Sequence, residues 1–191
     1  MGKIKEKVKN LLKDTPIFTN RDIRMITKDK SYANLLLHNL VKRGEAYRLT
    51  RGCYSWIEDP FLSVFCFRPA YLGLEFALSF YEIWDQETNP VIITPRKVRT
   101  GLRKSQGTNI VLHHIKEEYF FGIDFLKHDD FYLPVSDIEK TVLDFIYFDT
   151  VPEEDVWEKL LNRANKEKLS SYISKYPSKT QAKMKNLIRK K

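Results

Sequence analysis

Ser31, Asn34, Leu35, His38, Asn39 and Lys42 recur three and four residues apart, a spacing that gathers side chains on one flank of an α-helix. Their types suit base edges in a DNA major groove. An asparagine pairs with adenine through one donor and one acceptor, His38 can donate or accept, and Leu35 can meet a thymine methyl. Tyr32 belongs to the same run, and Lys28 and Lys30 before it, like Arg48 and Arg51 after it, supply cations for phosphates. Arg51, on a turn, can also enter a minor groove. A second run, TPRKVRTGLRKSQG, puts Arg96, Lys97, Arg99, Arg103 and Lys104 into a connection with no acid, read as a flexible loop able to track a nucleic-acid backbone. An outward leucine equally suits a protein partner, and a lysine-rich surface is often only a solvated one. A protein-docking or RNA-binding module therefore stands as an alternative, although no sheet pattern of stacking aromatics favours RNA.

Bond-making chemistry has weaker support. The sequence holds no GxSxG, Walker or HExxH motif, and His113 and His114 would point to opposite faces of a strand. Glu75, Asp124 and Glu139 with Lys140 are candidates for a metal-dependent nuclease. However, Ile123-Asp124-Phe125-Leu126-Lys127 does not space its acid and lysine as such a core requires. Cys53 and Cys66 lie in apolar segments without CxxC spacing, so they are predicted to be reduced thiols, neither a disulfide nor a zinc site. No enzyme activity, metal or cofactor is expected.

The elements that must position the first set can be read locally. Ile4, Val8, Leu11 and Leu12 make an amphipathic first helix. Thr19 and Asp22 have capping-box spacing, with Phe18 able to staple against Ile23, so a second helix starts near Asn20. After a polar break at residues 27–30, Ser31 caps a third helix that turns Ala33, Leu36, Leu37 and Leu40 inward and ends at Gly44. Glu45 to Leu49, a Thr50-Arg51-Gly52 turn and Cys53 to Ile57 read as a β-hairpin. Together these predict a winged helix-turn-helix over residues 1–59. Glu58-Asp59-Pro60 marks the boundary.

Residues 60–191 read as a mixed α/β domain ending in basic helices, making the whole α+β. Tyr71 to Tyr81 is predicted as a helix, and Pro90 to Thr94, Asn109 to His113, Tyr119 to Ile123 and Phe131 to Val135 as strands. Ser136-Asp137-Ile138-Glu139 looks like a further capping box, with Lys140 and Asp144 a surface pair at i,i+4. Helices then start at Glu153-Glu154-Asp155 and at Ser178, the last with Met184, Leu187 and Ile188 on one side. From residue 166 onward nine basic residues face only Glu167 among acids.

The 191 residues carry 33 Lys+Arg against 25 Asp+Glu, a formal +8, which points to an acidic partner such as nucleic acid. MGKIKEKVKNLLK lacks the apolar core of a signal peptide, and FLSVFCF is too short to span a bilayer, so a soluble cytoplasmic protein is expected. Abundant lysine and glutamate would suit a heat-adapted organism.

The order Leu40, Gly44, Arg48, Arg51-Gly52 and Tyr54 continues through Arg68-Pro69-Ala70-Tyr71-Leu72-Gly73 and Ala77-Leu78-Ser79-Phe80-Tyr81. It closes with Ser136, Glu139-Lys140-Thr141 and Leu143-Asp144. This succession resembles the AbiEi-type antitoxins and their transcriptional-regulator relatives over residues 15–150. The resemblance implies a winged-helix domain that represses its own toxin–antitoxin operon, and a second domain counteracting a nucleotidyltransferase toxin. It also allows Glu139 and Lys140 a part in antitoxin action. Where such sequences usually carry glycine after the Ala-Leu-Ser-x-Tyr run, this one has Glu82. Paired operator half-sites would favour two copies on DNA.

Overall fold

The computed structural model describes residues 2–86, 88–105 and 108–189. Gln106 and Gly107 of the cationic run, and Lys190 and Lys191 of the basic tail, lie outside the described residues. The fold is α+β.

The chain opens with α1 (Gly2–Leu12), β1 (Phe18–Thr19), α2 (Asn20–Thr27), α3 (Lys30–Lys42), β2 (Tyr47–Thr50) and β3 (Cys53–Ser55). The Thr19–Asp22 capping box forms, and Phe18 and Ile23 share a core with Val8, Ala33, Leu36, Leu37, Leu40 and Ala46. Only part of the predicted α1 stripe is used: Val8 is buried while Ile4 and Leu11 stay exposed. Lys28, left-handed at φ 58°, ends α2, and Asp29 rather than Ser31 caps α3 by accepting the Tyr32 amide at 3.0 Å. Gly44 takes φ 67° after α3 as its position predicts, and β3 pairs with both β2 and β1 in a three-stranded sheet.

A 3-10 helix over Pro60–Phe67 leads into the second sheet. Its strands are β4 (Tyr71–Leu72), β5 (Val91–Thr94), β6 (Gly101–Ser105), β7 (Thr108–His114), β8 (Ile123–His128) and β9 (Phe131–Ser136), in the order β6-β7-β5-β4-β9-β8. Parallel pairings β4 with β9 and β5 with β7 sit among antiparallel ones. The helix predicted over 71–81 is half strand: Tyr71 and Leu72 extend, Leu74 turns at φ 54°, and only α4 (Glu75–Phe80) is helical. The predicted strand 119–123 is instead the end of a 3-10 turn, Glu117–Tyr119, and a loop leading to β8.

Period-two alternation gives this sheet two buried faces. Val91 and Ile93 face α5 (Ile138–Phe148), α6 (Glu154–Arg163), α7 (Lys166–Ile173) and α8 (Ser178–Arg189), where Met184 of the last helix is fully buried. Ile92, with Ile110 and Leu112 of β7, faces the Pro60–Phe67 segment and Leu49 of β2. The hairpin thus shares a core with residues beyond Pro60. A Cys53–Cys66 disulfide joins β3 to the 3-10 segment, Cα to Cα 6.1 Å, and corrects the expectation of free thiols. The two cysteines are 13 residues apart in sequence, and only the side-by-side packing of β3 and the 3-10 segment brings them together. Among the described residues no helix is long and apolar enough to cross a membrane.

Candidate nucleic-acid interface

Burying Ala33, Leu36, Leu37 and Leu40 fixes the rotation of α3, so the periodicity that fills the core leaves Ser31, Asn34, Leu35, His38 and Lys42 exposed. Leu35 is 50% exposed. Tyr32 and Asn39 are half-buried at the flanks. The Tyr32 hydroxyl is buried and meets no hydrogen-bond partner among the described residues, while Asn34 Oδ1 accepts from Asn20 Nδ2 at 2.6 Å. That bond engages the amide oxygen of Asn34, an exposed residue. Lys28 and Lys30 stand exposed at the turn before the helix.

Arg48 is exposed on β2, with Nε donating to the Thr50 carbonyl at 3.4 Å. Arg51 projects from the hairpin turn, where Gly52 takes φ 80°. The second cationic run corrects the expectation of a loop. Arg96, Lys97 and Arg99 occupy a connection, but Arg103 and Lys104 lie on β6, opposite Ile110 and Asn109 of β7. Arg96 donates to the carbonyl of Arg68 at 3.4 Å, and the Arg103 guanidinium donates to that of Arg99. Strand β6 ends the sheet and comes alongside β2. Arg48 of the first cationic set and Arg103 and Lys104 of the second therefore lie on strands that come alongside each other.

Three nearby carboxylates are occupied. Asp22 and Asp29 cap helices, and Glu45 accepts from Lys5 and Lys9, each at 2.7 Å. Those two bonds hold the Glu45 carboxyl down at about 2. With these acids committed to structure, the charge left outward around α2, α3 and the hairpin is chiefly basic.

The run Ser136 to Asp144 serves differently from its sequence reading. Lys140 and Asp144 are a pair with no exposed side-chain surface, not a surface one. Tyr71 donates to Asp144 at 2.8 Å, Lys140 Nζ also lies against Asp144, and the Tyr176 hydroxyl is 3.4 Å from Lys140. Burial pulls Lys140 down and pushes Asp144 up, each partly offset by the other's charge. The cap of α5 is Asp137, one residue later than Ser136, and it also accepts from Tyr172 at 2.8 Å and pairs with Lys168 at 3.1 Å. Glu139 satisfies an amide, but that of Asn165 ahead of α7, at 2.7 Å, and its other oxygen pairs with Lys168 at 2.9 Å. Burial opposes its charge, yet the Asn165 amide and Lys168 hold Glu139 below the usual carboxylate range. Gly122, at φ 68°, has no room for a side chain, because an added Cβ would fall 2.8 Å from Lys140 Cβ and 2.9 Å from Tyr172. This cluster ties the sheet to α5, α7 and the turn that follows α7. The partners Tyr71, Phe121, Tyr172 and Tyr176 come from distant segments, and nothing in local spacing announces them.

The nuclease candidates do not converge. Glu75 stands beside the cavity near His113, Asp124 is exposed on edge strand β8, and Glu139 is tied to Lys168. Among the described residues no three His, Cys, Asp or Glu side chains gather as metal ligands. His113 packs on Phe148, 4.7 Å between ring centroids, and burial lowers its pKa.

The backbone arrangement has a counterpart. In fold, the chain is similar to the crystal structure of the RV2827C protein from Mycobacterium tuberculosis. The TM-score is 0.59 over 95% of this chain and 74% of that one, at 16% identity. No protein-family model matches the chain, and no curated protein matches it.

Proposed function

We propose that this protein is a sequence-specific DNA-binding repressor, in which residues 1–59 act as a winged helix-turn-helix and residues 60–191 as an effector region. The observation that carries this reading is the adjacency of β2, which bears Arg48, and β6, which bears Arg103 and Lys104, beside a helix α3 whose outward face is polar. In this reading α3 enters the major groove with Asn34, Leu35, His38 and Asn39 toward base edges. Lys28, Lys30, Lys42, Arg48 and Arg51 hold phosphates, and Arg96, Lys97, Arg99, Arg103 and Lys104 lengthen the footprint. Following the AbiEi-type resemblance, the repressed operon is its own and the effector region counteracts a nucleotidyltransferase toxin. The protein acts in the cytoplasm, where a disulfide is unusual outside heat-adapted organisms.

The test is a titration against DNA from upstream of its own gene and against a scrambled duplex, at two salt concentrations. Preference for the native site should persist at the higher salt. His38→Ala or Asn39→Ala should cost about 1–3 kcal/mol of that preference, and Lys104→Ala should weaken both duplexes alike and reduce the salt slope by about 1. Equal binding to both duplexes that salt erases refutes base reading. That outcome favours protein docking, the reading that exposed Leu35 and Met25, the latter 70% exposed, would serve.

A further inference from the structure

A cleft runs along the segment that follows α4. Its larger cavity, of about 680 Å³, is walled by Phe61, Phe76 and Trp84, and Glu82 and Asp85 line its polar side. A second cavity, of about 330 Å³, shares Thr88 and Asn89 with the first and extends it to Glu75. In a chain with 33 Lys+Arg against 25 Asp+Glu, no lysine or arginine among the described residues lines either cavity. Arg163, whose guanidinium donates to the Tyr81 carbonyl, lines neither as well.

The backbone presenting Glu82 is unusual for its residue type. Its amide donates to the Ser79 carbonyl at 3.0 Å and that of Ile83 to Leu78 at 2.9 Å, which closes α4 in the turn whose left-handed position glycine fills without strain. Glu82 takes φ 56° there. A carboxylate is thus held at the rim of an aromatic cleft where glycine would fit the backbone better.

We infer that this cleft binds a small organic cation, an amine or guanidinium with an apolar part. Phe61, Phe76 and Trp84 supply aromatic wall for the cation and its hydrocarbon, and Glu82 and Asp85 supply the countercharge. A bare metal ion fits poorly, because the walls are aromatic and the volume is that of an organic ligand. An anion would meet the carboxylates of Glu82 and Asp85 with no cationic side chain among the described lining residues to offset them. The site lies apart from the DNA-binding reading and does not rest on it.

The experiment is isothermal titration of the full chain with phenethylamine, agmatine and spermidine, with 2-phenylethanol as the uncharged shape match and potassium chloride as the ionic-strength control. At least one cation should bind saturably, and 2-phenylethanol at least about tenfold more weakly than phenethylamine, as loss of a charge contact predicts. Glu82→Gln with Asp85→Asn, both exposed positions, should abolish the difference between charged and uncharged ligands. Glu82→Gly should weaken cation binding without lowering the melting temperature of the free protein, which separates ligand recognition from folding. Absence of saturable binding by all three cations overturns the inference, and so does binding that these substitutions leave unchanged.

Discussion

Replacing Lys140 by methionine removes one partner of a pair that has no exposed side-chain surface. Methionine fills much of the space of the lysine stem and removes the ammonium that lies 5.6 Å from the Tyr71 ring and 5.4 Å from the Phe121 ring, so the change acts mainly through charge. Asp144 then keeps only the Tyr71 hydroxyl, 2.8 Å away, as a described side-chain donor. Breaking a buried pair from one side costs about 3–5 kcal/mol, a large part of the roughly 5–15 kcal/mol that holds a domain together. The cost should depend on pH. Without the ammonium that partly offsets it, burial raises the folded-state pKa of Asp144 further above its unfolded value, so the folded variant binds the proton more tightly than the parent does. The penalty is then absent below the unfolded pKa, near 4, and grows as pH rises toward the folded one. Urea denaturation of variant and parent at pH 5 and pH 8 should show the larger difference at pH 8. Adding Asp144→Leu should recover part of the loss, the remainder being about 1–3 kcal/mol for the Tyr71 hydroxyl left without an acceptor. A loss below about 1 kcal/mol, the size expected of an exposed pair, would refute the reasoning, as would a loss that is the same at both pH values.

Glu45 is held at about 2 by Lys5 and Lys9, below its unfolded value, so its stabilising charge is fully present above about pH 4.3 and is lost as pH falls through the folded value. Acid titration should show Glu45→Gln flattening the decline in stability between those limits, and an unchanged decline would remove the pairing from the account. The Cys53–Cys66 bond closes a short loop, with a sequence separation of 13, and a loop of that size contributes about 3 kcal/mol through the unfolded chain. Denaturation with and without reductant should differ by that order, and no difference would show the bond to be idle or absent in solution.

Local signals were readable where neighbours in sequence are also the physical partners. The Thr19–Asp22 box, the inward spacing of Ala33, Leu36, Leu37 and Leu40, and Gly44 at the end of α3 each act within a turn or two, so residue type and period suffice. The outward face of α3 was legible for the same reason, because fixing the buried stripe fixes its opposite. The cap of α3 was misplaced by two residues, since Asp29 and Ser31 are both capable acceptors and only the path of the turn at Lys28 selects between them. Tyr71 and Leu72 read as helix because their period continues that of α4, whereas pairing with Val135 and Ile92 draws Leu72 into the sheet.

What tertiary structure alone decided concerns partners far apart in the chain. An i,i+4 lysine and aspartate look like a surface pair until α7, α8 and the Phe121–Gly122 segment close over them, and the low dielectric of that closure turns a minor contact into a critical one. Two cysteines without a motif become a disulfide because β3 and the 3-10 segment run side by side. Arg103 and Lys104 reach the hairpin because β6 ends the sheet beside β2. The sequence by itself determined the N-terminal helices, the Thr19–Asp22 cap of α2 and the polarity of the α3 face, through interactions of short range. Which charges are buried, bonded or gathered depended on long-range packing, whose partners no local period encodes.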